Sequence, residues 1–161
     1  MSKAVMLSIR PKWVEKIASG EKTIEVRKTM PKLQTPFKCY IYCTKPKYPH
    51  EDFILTDYPK PQFYGGGKVI GEFTCDQFWI GTPHNTNLLF CMAACMDGFD
   101  TEKYAKGKTL YGWHISDLRI YDTPKELSEF TGLRDTKFGA APHEIKRPPQ
   151  SWCYVEAMKD A

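Results

Sequence analysis

At Gly20 the chain changes period. Upstream, Trp13, Val14, Ile17 and Ala18 fall on one face at helical spacing. Pro11 stands where a helix tolerates proline, in the first turn, whose N–H groups have no partner within the helix. Gly20 is the expected C-terminal stop. Downstream, Lys22-Thr23-Ile24-Glu25-Val26-Arg27 alternates. Ile24 and Val26 share one strand face, Thr23, Glu25 and Arg27 the other, and Lys22 stands at the strand mouth. A short helix thus feeds a strand that presents a hydroxyl, a carboxylate and a guanidinium in one row. Such a row suits gripping a phosphate, reading a base edge or pairing with itself.

Other segments repeat the two-residue period. Residues 4–9 read as a first strand. In residues 38–43, Cys39, Ile41 and Cys43 oppose Tyr40 and Tyr42. In residues 68–75, Val69, Phe73 and Cys75 oppose Ile70, Glu72 and Thr74. Residues 110–121 predict a long or bulged strand, and residues 151–156 close the chain with Trp152 and Tyr154 opposite Cys153 and Val155. Helical patterns outside 11–18 are short: 87–96, 101–105 and 124–130. The expectation is an α+β protein, a small β-barrel of five to six mostly antiparallel strands with a few short flanking helices. With 161 residues, no repeat and no dividing linker, one domain over 1–161 is expected, with a long loop at 44–67 and an insertion near 81–100.

The 44–67 loop interleaves Lys45, Lys47 and Lys60 with Tyr48, Phe53, Tyr58, Phe63 and Tyr64. Loops beyond roughly 12–15 residues are usually functional or disordered. Lysines among aromatics suit single-stranded nucleic acid through charge and stacking; equally, the aromatics pin the loop to the barrel. Gly65-Gly66-Gly67 lacks the strand and helix context of a dinucleotide site and reads as a flexible turn. Residues 134–150, with Pro142, Pro148 and Pro149, are expected to wrap the surface.

Charge is unevenly placed. Residues 1–47 hold 11 Lys+Arg against 3 Asp+Glu, net +8, and residues 48–161 hold 12 against 16, net −4. A basic N-terminal third points to an anionic partner at one surface, or to a solvated lysine face. No run of ~18 apolar residues predicts a membrane span, and the first ten residues are too short in apolar content for a signal peptide, so the cytoplasm is expected. The six cysteines then read as reduced core thiols. Cys39/Cys43 and Cys91/Cys95 lack the paired spacing of zinc ribbons, and recruiting His84 and His114 is the sole route to a metal on paper. Neither metal nor cofactor is expected.

The order of strand, Pro-led helix and Gly20-x-Lys22-x-x-Glu25-x-Arg27 is similar to the signature of ASCH domains, relatives of the PUA-like barrels. Ser8-Ile9-Arg10-Pro11 with Trp13 resembles the family's lead-in, Lys68-Val69-Ile70-Gly71-Glu72-Phe73 its central strand, and Tyr111-Gly112-Trp113-His114-Ile115-Ser116 a later one. Arg147-Pro148-Pro149-Gln150-Ser151-Trp152 resembles phage and bacterial members. The likeness spans most of the chain apart from 44–67 and 81–100. It implies a cleft, lined by the motif, that takes RNA, single-stranded nucleic acid or a modified nucleoside.

Three roles follow as expectations. In a binding module, Arg10 and Lys22 contact phosphates, Lys28 adds charge, Arg27 takes a phosphate or base edge, Glu25 orients Arg27 or accepts from an exocyclic amine, and Trp13 or Trp113 stacks on a base. The plainer roles are a Glu25–Arg27 brace, core tryptophans, and a hydrogen-bonded strand residue at His114. One enzymatic branch of similar fold removes acetyl from N4-acetylcytidine with a lysine at the position of Lys22, a threonine where Glu25 stands here, and a glutamate from a later helix. The resemblance then implies an amidohydrolase with Lys22 as base, Thr23 or Glu25 assisting and Glu102 in the glutamate's place. The third role is a phage-type host-interaction protein whose 44–67 loop takes a protein partner.

Overall fold

The computed structural model describes residues 2–56, 59–82 and 87–159. In chain order the elements are β1 (Lys3–Ile9), α1 (Pro11–Ala18), β2 (Ile24–Arg27), β3 (Phe37–Cys43), β4 (Lys68–Gly81), α2 (Leu88–Ala94), α3 (Gly98–Ala105), β5 (Leu110–Lys125), β6 (Thr131–Thr136), β7 (Gly139–Glu144) and β8 (Trp152–Glu156). The strands form one mixed sheet ordered β2-β5-β4-β3-β1-β8-β6-β7. β1 and β3 pair in parallel, Ile9 opposite Cys43, and the other ladders are antiparallel. Among the described residues no helix is long and apolar enough to cross a membrane.

The α+β expectation holds, but the barrel needs correcting. The sheet has eight strands among the described residues rather than five or six, and its ladder does not close. The additional strands are the β6–β7 hairpin, which occupies part of the segment expected to wrap the surface. Its residues are largely exposed and include Pro142, so no apolar alternation marks it.

Side chains do at the open seam what a ladder would do in a barrel. Arg27, at the end of edge strand β2, donates to Ser8 O of β1 at 2.7 Å and to Ser151 O and Oγ, just before β8, at 3.2 Å. Beyond β2, Thr29 Oγ1 accepts from Trp152 Nε1 at 2.9 Å, and the Lys32 amide donates to the Tyr154 hydroxyl at 2.9 Å. The Trp113 and Trp152 rings lie 5.9 Å apart across the same seam.

Both faces of β3 are covered, as its alternation requires. Cys39, Ile41 and Cys43 enter a core with Leu7, Val14, Phe73 and Trp113, while Tyr40 and Tyr42 enter a second with Met6, Tyr121 and Phe130. In β4 the expected phase slips: Ile70, not Val69, joins Phe73 and Cys75, and Val69 packs with Tyr42. The register jumps between Ile41/Gly71 and Tyr42/Val69, leaving Ile70 as the extra residue of a β-bulge. Residues 124–130 do not form the expected helix; β5 runs on to Lys125 and a single 3-10 turn covers Leu127–Glu129. The 44–67 loop is anchored by buried Phe53 and an Ile54–Tyr64 bridge. Its glycines are crowded rather than slack: a Cβ on Gly66 would lie 2.7 Å from Pro46 Cδ. Tyr58 and His84 lie outside the described residues.

The bulge makes a testable demand. A Cβ on Gly71 would approach Arg119 O, a backbone atom, to 2.6 Å. Gly71→Ala is expected to lower the unfolding free energy by about 1–3 kcal/mol, read by urea denaturation; an unchanged midpoint would contradict the packing described.

Candidate functional site

Three ionisable side chains from the Gly20–Arg27 segment converge below the surface. Lys22 is 3% exposed, Glu25 6% and Arg27 9%, so the row is not a solvated face. They line a cleft of about 810 Å³ with Arg10 and Trp13 from the start of α1. Lys45 follows β3 on one wall, Met96 and Tyr104 come from the α2–α3 region, and residues 148–150 precede β8.

Each group is held by the fold. Gly20, at φ 84°, turns the chain out of α1, and the Lys22 amide donates to Lys16 O at 3.0 Å. The apolar face of β2 fixes the other side: Ile24 and Val26 pack on Phe90, Ala94, Ala105 and Leu110. That contact brings the C-terminus of α2 over the turn. Lys22 Nζ donates to Ala94 O at 2.6 Å, and the Thr23 amide donates to Ala93 O at 2.8 Å. Terminal helix carbonyls have no partner within their helix and favour a cation, so Lys22 caps α2. Its ammonium also lies 4.8 Å from the centre of the Trp13 ring, a cation–π contact.

The Glu25–Arg27 pair is buried, with Arg27 Nη2 at 3.3 Å from Glu25 Oε1. Arg27 spends its remaining Nη donors on Ser8 and Ser151, while Arg27 Nε and Glu25 Oε2 find no protein partner. Orphaned buried polar atoms cost about 1–3 kcal/mol each, and retained ones mark places where a side-chain network has a task besides stability. Tyr104 stands within the electrostatic reach of both. Burial pushes its phenol up from 10.0, with Arg27 opposing and Glu25 reinforcing.

The structure thus assembles Arg10, Trp13, Lys22, Glu25 and Arg27, and separates the other candidates. Trp113 is fully buried in the core, donating Nε1 to Thr29 O at 3.3 Å, so it offers no face to a base. Thr23 is exposed and does not line the cleft, because the Ala93 contact turns the chain before β2 begins. Glu102 is exposed on α3 and also lies outside the lining. Lys28 is exposed and sits over the Tyr104 ring at 4.8 Å rather than in the cleft. His114 pairs with Asp76 at 2.6 Å and stacks on Trp79, the plainer of its two expected roles. Among the described residues no three His, Cys, Asp or Glu gather as a metal-binding group. Tyr104, Met96 and the Ala94 carbonyl were not foreseen. A lone tyrosine in a short helical pattern carries no signal, and a backbone carbonyl carries none at all.

Burial lowers the Lys22 ammonium from its ordinary 10.5; Glu25 and Cys95 oppose this and Arg27 adds to it. Between the lowered value and 10.5 the unfolded chain binds this proton more fully than the folded one, so the Lys22 contribution to stability rises with pH across that window. The wild type should therefore gain stability relative to Lys22→Met between about pH 7 and about pH 10, measured by urea unfolding at both. A constant difference would show that the ammonium is not desolvated.

The comparisons bear on the family and the fold. The family model described as "ASCH domain" matches residues 7–149. A crystal structure of a point mutant of the ASCH protein from Zymomonas mobilis superposes with a TM-score of 0.65 at 18% identity, covering 95% of this chain and 88% of that one. The unmutated Zymomonas mobilis ASCH structure gives 0.58 at 18% identity, covering 95% and 87%. At such identity these neighbours speak to the fold alone. A search of the curated proteins finds no match. With the family model spanning residues 7–149, most of its length, this chain belongs to the ASCH domain family.

Proposed function

We propose that the cleft binds RNA by enclosing one unpaired nucleotide. The observation that carries this reading is the meeting of Lys22, Glu25 and Arg27 at the base of an 810 Å³ hollow whose entrance holds Arg10 and Lys45 and whose sides hold Trp13 and Tyr104. That volume lies within the range of about 300–1,000 Å³ typical of small-ligand sites. A base that stacks on Trp13 or Tyr104, as splayed-out bases require, takes a ring face not held by the ammonium of Lys12, Lys22 or Lys28. The cations at the entrance suit phosphates, which position a strand without reading it. Glu25 Oε2 is an acceptor without a protein partner that suits a base edge; it is covered, so contact requires the Glu25 carboxylate to turn toward the hollow while Arg27 keeps its bonds to Ser8 and Ser151. The ASCH family is generally described as RNA-binding, which supports the same reading.

The geometry favours binding over amide hydrolysis. Lys22 Nζ is committed to Ala94 O, and neither Thr23 nor Glu102 lines the cleft to assist it. The 44–67 loop, partly folded onto the core through Phe53, is better suited as a wall of the cleft than as a free arm for a protein partner.

Association with single-stranded RNA should weaken as salt rises. Arg10→Ala and Lys45→Ala should each reduce the slope of log K against log salt by about 0.7, read by fluorescence anisotropy. A salt-independent or undetectable association of the wild type would refute the proposal.

A further inference from the structure

A second cavity, about 500 Å³, opens beside the cleft and shares Arg10, Thr44 and Lys45 with it. Its other charged residues are Lys12, Lys47 and Glu51. Four cations therefore face one carboxylate. Among the described residues none of the four cations forms an ion pair within the protein.

The fold explains why they meet. β1 and β3 run parallel with Ile9 opposite Cys43, so the chains leaving their carboxyl ends depart side by side. One carries Arg10 and Lys12 and the other Lys45 and Lys47. The Thr44 amide donates to Ile9 O at 2.9 Å, extending the register one step past the strands. Arg10 is the residue before α1, and its side chain makes no capping bond. The glycine triplet packs against two of the lining residues, Pro46 and Lys45. A Cβ on Gly67 would fall 2.9 Å from Lys45 Cε, so the lysine stem lies directly across that glycine. Asp52 Oδ1 fixes the same turn by accepting from the Phe53 and Gly66 amides at 2.8 and 2.7 Å.

We propose that this second cavity is the backbone subsite of a single-stranded RNA whose unpaired nucleotide occupies the cleft, and that the protein's ligand is therefore a polymer rather than a free nucleoside. This inference rests on the cleft reading above. The shared wall is the reason for continuity: a phosphate at Arg10 and Lys45 belongs to both cavities, and the next one along the strand meets Lys12 and Lys47. Charge selects the chemistry, since four cations without an ion-pair partner line this cavity, Lys12 and Lys47 lying over the Trp13 and Tyr48 rings, and phosphate oxyanions supply the missing counter-charge. Size selects the polymer over a lone anion, because 500 Å³ exceeds the room a single phosphate fills. A nucleoside triphosphate carries the same chemistry from a different source.

The test uses the full chain and three probes: a single-stranded RNA oligonucleotide, a nucleoside triphosphate and a nucleoside monophosphate. Lys12 and Lys47 are exposed and line only the second cavity, so the Lys12→Ala/Lys47→Ala double variant should keep its fold, checked by thermal melting. It should bind the oligonucleotide roughly tenfold or more weakly at low salt, with a salt slope lowered by about 1.4. Monophosphate binding should stay at the wild-type level, and Lys12→Arg/Lys47→Arg should retain oligonucleotide affinity. If the oligonucleotide binds wild type and double variant alike, the subsite is overturned while the cleft stands. If triphosphate binding falls as far as oligonucleotide binding, the polymer assignment is overturned. If the wild type binds none of the three probes, the cleft reading fails and this inference with it.

Discussion

The structure depends most on the Arg27 guanidinium. It stands at the free edge of an eight-stranded sheet and reaches β1 through Ser8 and the approach to β8 through Ser151. No backbone ladder spans that seam among the described residues. The guanidinium's planar fork serves four acceptors at fixed angles, Ser8 O, Ser151 O, Ser151 Oγ and Glu25 Oε1, one more than the three donors of a lysine can reach. Its charge is balanced by Glu25, which is itself buried. Removing one member of such a pair leaves an uncompensated charge and costs about 3–5 kcal/mol. Because the same atoms form the base of the cleft, the device that curls the sheet also furnishes the site.

Lys22 ties that base to the helices between β4 and β5. They supply the Ala94 carbonyl for its ammonium, from the 81–100 stretch that the resemblance leaves out, and the Tyr104 ring for the cleft wall. Two caps make these short helices definite: Asn87 accepts from the Phe90 amide and Asp97 from the Asp100 amide. Phe90, Ala94 and Ala105 then pack on the apolar face of β2. The alternation of Ile24 and Val26 with Glu25 and Arg27 thus does two things at once. One face recruits the helices, and the other meets β1 and the approach to β8 across the seam.

Local rules made much of this legible. The α1 helix, its Gly20 stop and the two-faced β3 strand follow from periodicity and capping, because each is decided within a few residues. What escaped was set by contacts distant in sequence. The β6–β7 hairpin is held by pairing to β8 rather than by an apolar face, so its sequence shows no two-residue period. The Ile70 bulge shifts the phase of β4 without any mark in its composition. At the site, the motif residues were found because they share one strand and its turn, whereas of the two roles open to Trp113 the structure shows the plainer, a core ring. The glycine triplet forms the expected turn at Gly66 and Gly67, with Gly67 at φ 82°, but its close packing against Pro46 and Lys45, which belong to another stretch of chain, left no local mark.

The central claim is that one partly unsatisfied charge cluster both closes the sheet seam and receives an RNA nucleotide. Its most direct test is a nitrogen–proton NMR titration of the whole chain with a short single-stranded RNA, following the Arg27 Nε–H, the Trp13 indole and the Tyr104 amide. The account predicts that these signals move together and saturate with the bound fraction. Signals that stay fixed while shifts gather on the β6–β7 hairpin or the outer face of α2 would contradict it.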